Sequence, residues 1–477
     1  MVFSSPIFLF LFLPVTLLLT LLTHKYKFRN LTLLILSMFF YAFGEGELIL
    51  LMFGSITINY FIGLWIGRVN SKFPLVVGVI VNIGALVIYK YLGFIIYNLN
   101  EVLSLFFHYQ LPNVKIKLPV GISFYTFQIL SYLIDVYRRK NEPQKSYIDL
   151  ALYISLFPQL IAGPIVRYKD VAMQIVHRKL NSHLFQIGLE RFIIGLGKKM
   201  IIANVMAMAA DVAFGVESSM LSAPAAWFGI ICYSLQLYFD FSGYSDMAIG
   251  LGKMLGFDFL ENFRFPYTSR SIREFWQRWH ISLSNWFRDY LYIPLGGNQK
   301  GKGRTFFNLY TVFFLTGLWH GTSWNFVLWG LGHGTLMVIE RVGFGKLLLK
   351  IPPIFQHVYT LLSVVLLWVF FRAETLPDAI GYFNALFNFN GNGHYTFAVI
   401  SDNEIITFFI IGLILSVNGF NRAIKKIFVL TIRNKSNRAP IRSIFRMSRT
   451  IFLLMMLFYS GMIIATGSYN PFIYFRF

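Results

Sequence analysis

The sequence predicts an all-α, polytopic membrane bundle, and three observations carry that prediction. Of 477 residues, 56% are hydrophobic and only 13% charged, and the mean hydropathy is +0.60. Apolar stretches of about 18 residues or more, enough to cross the hydrocarbon core as helices, recur along most of the chain. The ten-residue alternating segments of a membrane β-barrel are missing. The 52 phenylalanines suit a packed apolar bundle. The chain, 1–477, reads as one membrane domain with its motif core at about 118–340.

Hydropathy places spans near 4–23, 30–43, 48–67, 74–97, 118–137, 147–165, 184–207, 225–252, 305–319, 324–340, 354–371, 403–420 and 450–466. That makes about 11–13 membrane segments, some of them re-entrant. The first run lacks a basic leader and a small-residue cleavage site. Its charge follows the apolar stretch, so it reads as a retained helix with its N-terminus outside. Basic clusters at 25–29, 68–72 and 138–145 mark the cytoplasmic side, whereas 389–402 has no Lys or Arg and faces outside. Alternation then fails: "GPIVRYKD" (163–170) and "VHRKL" (176–180) are basic where counting puts them outside. Pro158, Gly163 and Pro164 disfavour helix in "SLFPQLIAGPI", so 147–165 reads as a re-entrant element, tolerated only where protein buries it or it lines a cavity. The linker 421–449 is strongly basic and cytoplasmic.

The net charge of +21 follows from these loops and from attraction to anionic membrane lipid. No nucleic-acid-binding pattern is present. Cys232, the sole cysteine, leaves no disulfide, CxxC pair or thiolate metal site.

Two segments carry candidate chemistry. In "SIREFWQRWHISLSNWFRDYLYIPLGGN" (271–298), read as one helix, Phe275, Trp279, Leu283, Trp286 and Tyr290 form an apolar stripe. Arg273, Gln277, His280, Ser284 and Arg288 line the opposite side, and Pro294 with Gly296–Gly297 ends the helix. It is either an interfacial helix whose arginines meet lipid phosphates, or the wall of a surface cavity in which Arg273, Arg278 and Arg288 hold an anionic donor.

The second segment, "LTGLWHGTSWNFVLWGLGHG" (315–334), sets two histidines and an asparagine among five glycines in an apolar span. An ionisable side chain within a membrane segment is a functional-site hypothesis by default. His320, between Gly317 and Gly321, reads as a general base in a pocket that the glycines leave open, or as a packing histidine. On one continuous helix His320 and His333 stand about 220° apart, so a His–His metal site has little support and no metal is expected. His333 reads as structural.

A GxSxG elbow, a P-loop and HExxH are all absent. Asn325 and Asn285 stand where an acyltransferase His-x4-Asp pattern would put Asp. A carboxylate partner for histidine would have to come from Asp240 or Asp246 in "YFDFSGYSDMAIG", unless these are structural.

These segments together resemble the membrane-bound O-acyltransferase family, in its bacterial alginate O-acetyltransferase branch. The likeness rests on "LPVGISFYTFQILSYLIDVYR" (118–138), "FPQLIAGPIVR" (157–167), "YFDFSGYSDMAIGLGKMLGFDFLENFRFPY" (238–267) with 273–298, "GLWHGTSWNFVLWGLGHG" (317–334) and the terminal "FIYFRF". The resemblance implies a central funnel or tunnel through the bundle. It implies His320 as principal catalytic histidine and His280 as the second, with acetyl-CoA the cytoplasmic donor and no bound cofactor. Trp319 and Trp324 would shape a constriction; Asn325, Gln128 or a backbone N–H would stabilise the oxyanion. The acetyl group would pass to an extracytoplasmic acetyltransferase or esterase-like subunit of SGNH type and on to a cell-surface polysaccharide, alginate-like or peptidoglycan. A bacterial cytoplasmic membrane is the implied location. Two alternatives remain: D-alanyl transfer from a carrier protein to teichoic acid, and a non-catalytic glycan exporter or flippase.

Overall fold

Helix follows helix, with long connections at 105–121 and 255–271. The computed structural model describes residues 1–467 except 24, 108, 115, 162, 390–392, 420–421, 423–425 and 427–437. The terminal "FIYFRF" and most of the basic linker therefore lie outside the described residues.

In chain order the helices are α1 (Phe8–Leu22), α2 (Tyr26–Glu45), α3 (Ile49–Arg68), α4 (Phe73–Ser104) and α5 (Ile122–Tyr137). Next come α6 (Tyr147–Ser155), α7 (Phe157–Leu160), α8 (Tyr168–His177), α9 (Ser182–Gly215) and α10 (Ala223–Met254). The site helices are α11 (Ile272–Arg278), α12 (Ile281–Phe287), α13 (Gly301–His320) and α14 (Trp324–Ile339). The chain continues through α15 (Pro353–Arg372), α16 (Leu376–Phe387), α17 (Asn403–Ser416) and α18 (Arg438–Ala465). No strand forms among the described residues, as the all-α reading expects.

Inner and outer helices differ in kind. The apolar window of α9 is 78% buried, those of α4 and α18 only 17%, so the latter present apolar side chains to lipid. At the centre α9 and α10 cross with their backbones almost touching. A Cβ on Gly195 would lie 2.5 Å from the Gly243 carbonyl oxygen, and one on Gly250 2.6 Å from that of Gly188. Small residues let membrane helices approach this closely.

The basic ends gather on one face. Arg139 donates to Asn70 (3.3 Å), Arg178 to Asn30 (2.5 Å) and the Tyr60 hydroxyl to the Lys145 carbonyl (2.8 Å). On the opposite face Glu45 accepts from the Val120 amide (3.3 Å), and Trp324 donates to Asn98 (2.8 Å).

Between the faces runs the re-entrant element. α6 and α7 rise from the basic face until the Leu160 carbonyl reaches Gly121, where a Cβ would stand 2.7 Å away. The chain then returns extended, and residues 155–161 and 163–166 are buried. Its irregular backbone is satisfied inside protein: Phe157 N–H donates to Ser37 Oγ (3.2 Å), Ile165 N–H to Ser282 Oγ (3.0 Å), and Tyr153 hydroxyl to the Val166 carbonyl (3.0 Å). That is the condition under which non-helical backbone survives at membrane depth.

Candidate active site

The segment 271–298 is not one helix. α11 ends at Arg278, and His280 takes φ 44°, ψ 54°, a left-handed conformation, before α12 begins. The break turns His280 inward, so it is fully buried and leaves the polar face assigned to it by a continuous 3.6-residue period. The rest of the pattern holds: Phe275, Trp279, Leu283, Trp286 and Tyr290 are buried, Arg273, Gln277 and Arg288 exposed, Ser284 half-buried. A strained non-glycine residue persists only where its surroundings enforce it. Here Asn262 does so. Its side-chain Oδ1 accepts from the Ser282 amide (3.1 Å) and hydroxyl (2.9 Å) and lies 3.2 Å from His280 Nδ1. The backbone N–H fixes that oxygen as acceptor, so Nδ1 carries the imidazole proton and Nε2 holds the lone pair.

The glycines of 315–334 also have a different use from leaving a pocket open. α13 and α14 form a tight antiparallel hairpin. A Cβ on Gly317 would fall 2.3 Å from the Phe326 carbonyl oxygen, and one on Gly330 2.3 Å from that of Phe313. The helix stops at His320 and restarts at Trp324, so the 220° relation does not apply. His320 and His333 both pack against Trp329, with ring centroids 5.0 and 5.1 Å away.

The histidines share one aromatic cluster. His280 and His320 have ring centroids 6.3 Å apart, and Trp319 touches both, at 5.8 and 4.9 Å. Phe371 closes on His320 at 5.2 Å. His333 stacks on Phe275 and accepts from the Trp276 indole (3.3 Å), a packing role.

Two cavities approach this cluster from opposite faces. The larger, about 950 Å³, opens on the basic face. Of the sequence candidates, Arg273, Gln277, Ser284 and Arg288 line it, joined by Arg270, Arg341 and Lys346. It ends at Phe313 and Thr316, one turn before His320. The smaller, about 140 Å³, opens on the other face and is lined by His320, Trp319, Phe124, Ser123 and Lys90, with Ile161 from the re-entrant tip. Aromatic rings divide the two. Phe127 stacks on Trp286 at 3.8 Å and meets both Phe287, on the larger side, and Trp319, on the smaller.

Several candidates sit elsewhere. Arg278 does not line the cavity; it bonds Glu274, which does (2.7 Å), and the Arg264 carbonyl (3.2 Å). Asp240 pairs with Lys199 at 2.9 Å, and Asp246 with Arg191 at 2.8 Å and Lys198 at 2.6 Å. Both carboxylates thus clamp α9 to α10. Asn325 donates to the Ala373 carbonyl (2.9 Å), tying the hairpin to α15. Trp324 is 52% exposed and shapes no constriction. Gln128, fully buried one turn beyond Phe124, has no hydrogen-bond partner on either amide atom among the described residues. Among the described residues no metal-ligand group converges.

Sequence reasoning missed Lys90, Asn262, Arg270, Arg341 and Lys346. Lys90 was legible as the single charge within span 74–97. Asn262 lies in an irregular connection, where no periodicity points to it.

Residues 138–372 match the model of the membrane-bound O-acyltransferase family. A probable alginate O-acetylase of Pseudomonas putida is 40% identical over 446 residues, covering 90% of each chain. Another from Pseudomonas aeruginosa is 46% identical over 347 residues, 71% of this chain and 66% of that protein. A peptidoglycan O-acetyltransferase of Helicobacter pylori is 37% identical over 72% of this chain and 70% of its own.

Proposed function

The chain belongs to the membrane-bound O-acyltransferase family, and from that premise we propose that it takes acetyl groups from acetyl-CoA at its basic, cytoplasmic face and passes them towards a cell-surface polysaccharide. The observation that carries this reading is the approach of two cavities, from opposite faces, to one histidine. The names of the relatives support acetyl as the group and alginate or peptidoglycan as the acceptor polymer. An extracytoplasmic acetyltransferase or esterase-like subunit would dock over the small opening and present one end of the acceptor there, since the opening does not admit a polymer.

The larger cavity suits the donor. Arg273 and Arg288 present guanidinium groups that match phosphate oxygens, and Gln277 and Ser284 add hydrogen-bonding groups. At the wall, His320 takes the proton of the acceptor hydroxyl while its oxygen attacks the thioester carbonyl. The new C–O bond forms, the C–S bond breaks, and the departing thiolate receives the proton. Such base catalysis is typically worth about 10²–10⁴-fold. His280, its tautomer set by Asn262, orients the reacting groups, and the buried Gln128 amide, without a hydrogen-bond partner among the described residues, is the group assigned to the oxyanion.

The test is purified protein with acetyl-CoA, its extracytoplasmic partner and candidate glycans. Coenzyme A release matched by acetyl on the glycan is expected, and none with His320→Ala. A D-alanyl-carrier thioester consumed in place of acetyl-CoA would move the reading to the teichoic acid branch. Glycan movement without thioester consumption would make the protein an exporter.

A further inference from the structure

We propose that the narrow cavity beside His320 is a port for an anionic acyl acceptor, and that Lys90 is the residue that binds the acceptor's carboxylate. This rests on the acyl-transfer reading above.

Lys90 stands in α4 within a π-helical turn, Val87–Tyr91, an irregularity frequent at functional positions. Its ammonium donates to the Trp319 carbonyl (2.5 Å) and to Ser123 Oγ (3.3 Å). An ammonium has three donors and no acceptor, so one N–H remains for the cavity that Lys90 lines. Among the described residues its neighbours are these two oxygens and the Tyr91 ring, 6.0 Å away, and none of them is a carboxylate. Glu45, on the same face, instead accepts from the Val120 amide. A lone cation at this depth is costly, and charges in such places are kept where a counter-charge or a function compensates them. An arriving carboxylate would supply that counter-charge.

The geometry sets the rest. The opening faces away from the arginine-lined donor cavity, so the group it admits is the acceptor's. Its 140 Å³ compares with the roughly 150 Å³ that holds a benzene-sized guest, so it takes one end of an acceptor and not a polymer. Through the Trp319 carbonyl, Lys90 is tied to the peptide link that leads into His320. An anion on Lys90 is thereby registered against the base.

The experiment uses membranes holding the full chain with its native partners. The acceptors are an oligouronate and the same oligosaccharide after carboxyl reduction. The unmodified protein should prefer the anionic acceptor. Lys90→Met should shrink that preference about ten- to a hundredfold, the usual worth of a charge-assisted bond, and Lys90→Arg should restore part of it. Equal loss on both acceptors would overturn the proposal. Should Lys90→Met give no folded protein, competition on the unmodified protein decides: glucuronate should inhibit transfer where glucose does not, and equal inhibition, or none by either, refutes the anion port. A protein that cleaves no thioester at all fails earlier, at acyl transfer itself. Intact cleavage without anion discrimination fails only here.

Discussion

The two cavities are built from opposite materials. The one on the basic face is broad, about 950 Å³, and its cationic groups come from α11, the residues flanking α11 and α12, and the segment after α14. The one on the opposite face is about 140 Å³, walled by the start of α5, the re-entrant tip and the end of α13, with a single cation. A wide cationic mouth suits a large polyanionic donor, which needs several contacts. A tight port suits one small group presented at a fixed angle. The partition between them, Phe127, Trp286 and Trp319, keeps the two apart in this conformation. Sidedness in this protein is therefore a property of side-chain packing at one layer, not of the spans as a whole.

The largest effect should come from the wall that both cavities share. His320→Gln should abolish single-turnover acyl transfer, a loss of about 10²–10⁴-fold, whereas His280→Gln keeps a hydrogen-bonding group and should retain partial transfer. An active His320→Gln beside a dead His280→Gln would exchange their roles.

Next in size is the hairpin that carries the wall. Gly317→Val would drive its Cβ into the Phe326 carbonyl and should cost at least about 2–3 kcal/mol, seen as lost thermal stability in detergent. Gly303→Ala, on the same helix with nothing within 4 Å, should instead stabilise by about 0.5–1 kcal/mol. Equal behaviour of the two would show that close approach is not why glycine stands at 317.

A one-sided perturbation follows. Arg273→Ala with Arg288→Ala should raise the donor KM about tenfold while leaving the acceptor KM unchanged, since lost uniform binding acts on KM. Ser284→Cys in a Cys232→Ser background should label from the basic face, and acyl-CoA should slow the labelling. Labelling only from the other face would reverse the assignment of the cavities.

The smallest effect lies outside both cavities. Burial pulls the Asp289 carboxyl up, but the bond and charge of Arg288 and the charge of Arg167, 2.8 Å away, outweigh it and hold the carboxyl below the ordinary range. A depressed carboxyl contributes stability that is fully present above its unfolded value, about 3.9, and lost as pH falls through the folded one. Asp289→Asn should therefore lower stability by about 1 kcal/mol at neutral pH, and the gap to the unmodified protein should close in acid. A gap unchanged across that window would exclude the pair as its source.

What the sequence alone determined is what local composition controls. Hydrophobic length set the spans: α1–α5, α9, α10, α13–α15 and α17 lie close to where it put them, α18 overlaps the last, and α16 (Leu376–Phe387) lies in none of them. Pro158, Gly163 and Pro164 marked the re-entrant element, because lost N–H groups and backbone freedom act on their own neighbourhood. The amphipathic pattern of 271–298 sorted its buried and exposed residues correctly apart from the half-buried Ser284 and one position reversed outright. That position, His280, needed the tertiary structure, since a left-handed residue held by Asn262, 18 positions earlier, breaks the period from outside the segment. The glycines of 315–334 were visible, but their use was not: a missing Cβ reads as open space in sequence and as a carbonyl 2.3 Å away in the fold. The pairing of Asp240 and Asp246 with lysine and arginine, and the meeting of Lys90 with Trp319 across 229 residues, are likewise decisions of packing. Charges and apolar runs announce that partners are required, and only the three-dimensional arrangement determines which partners they find.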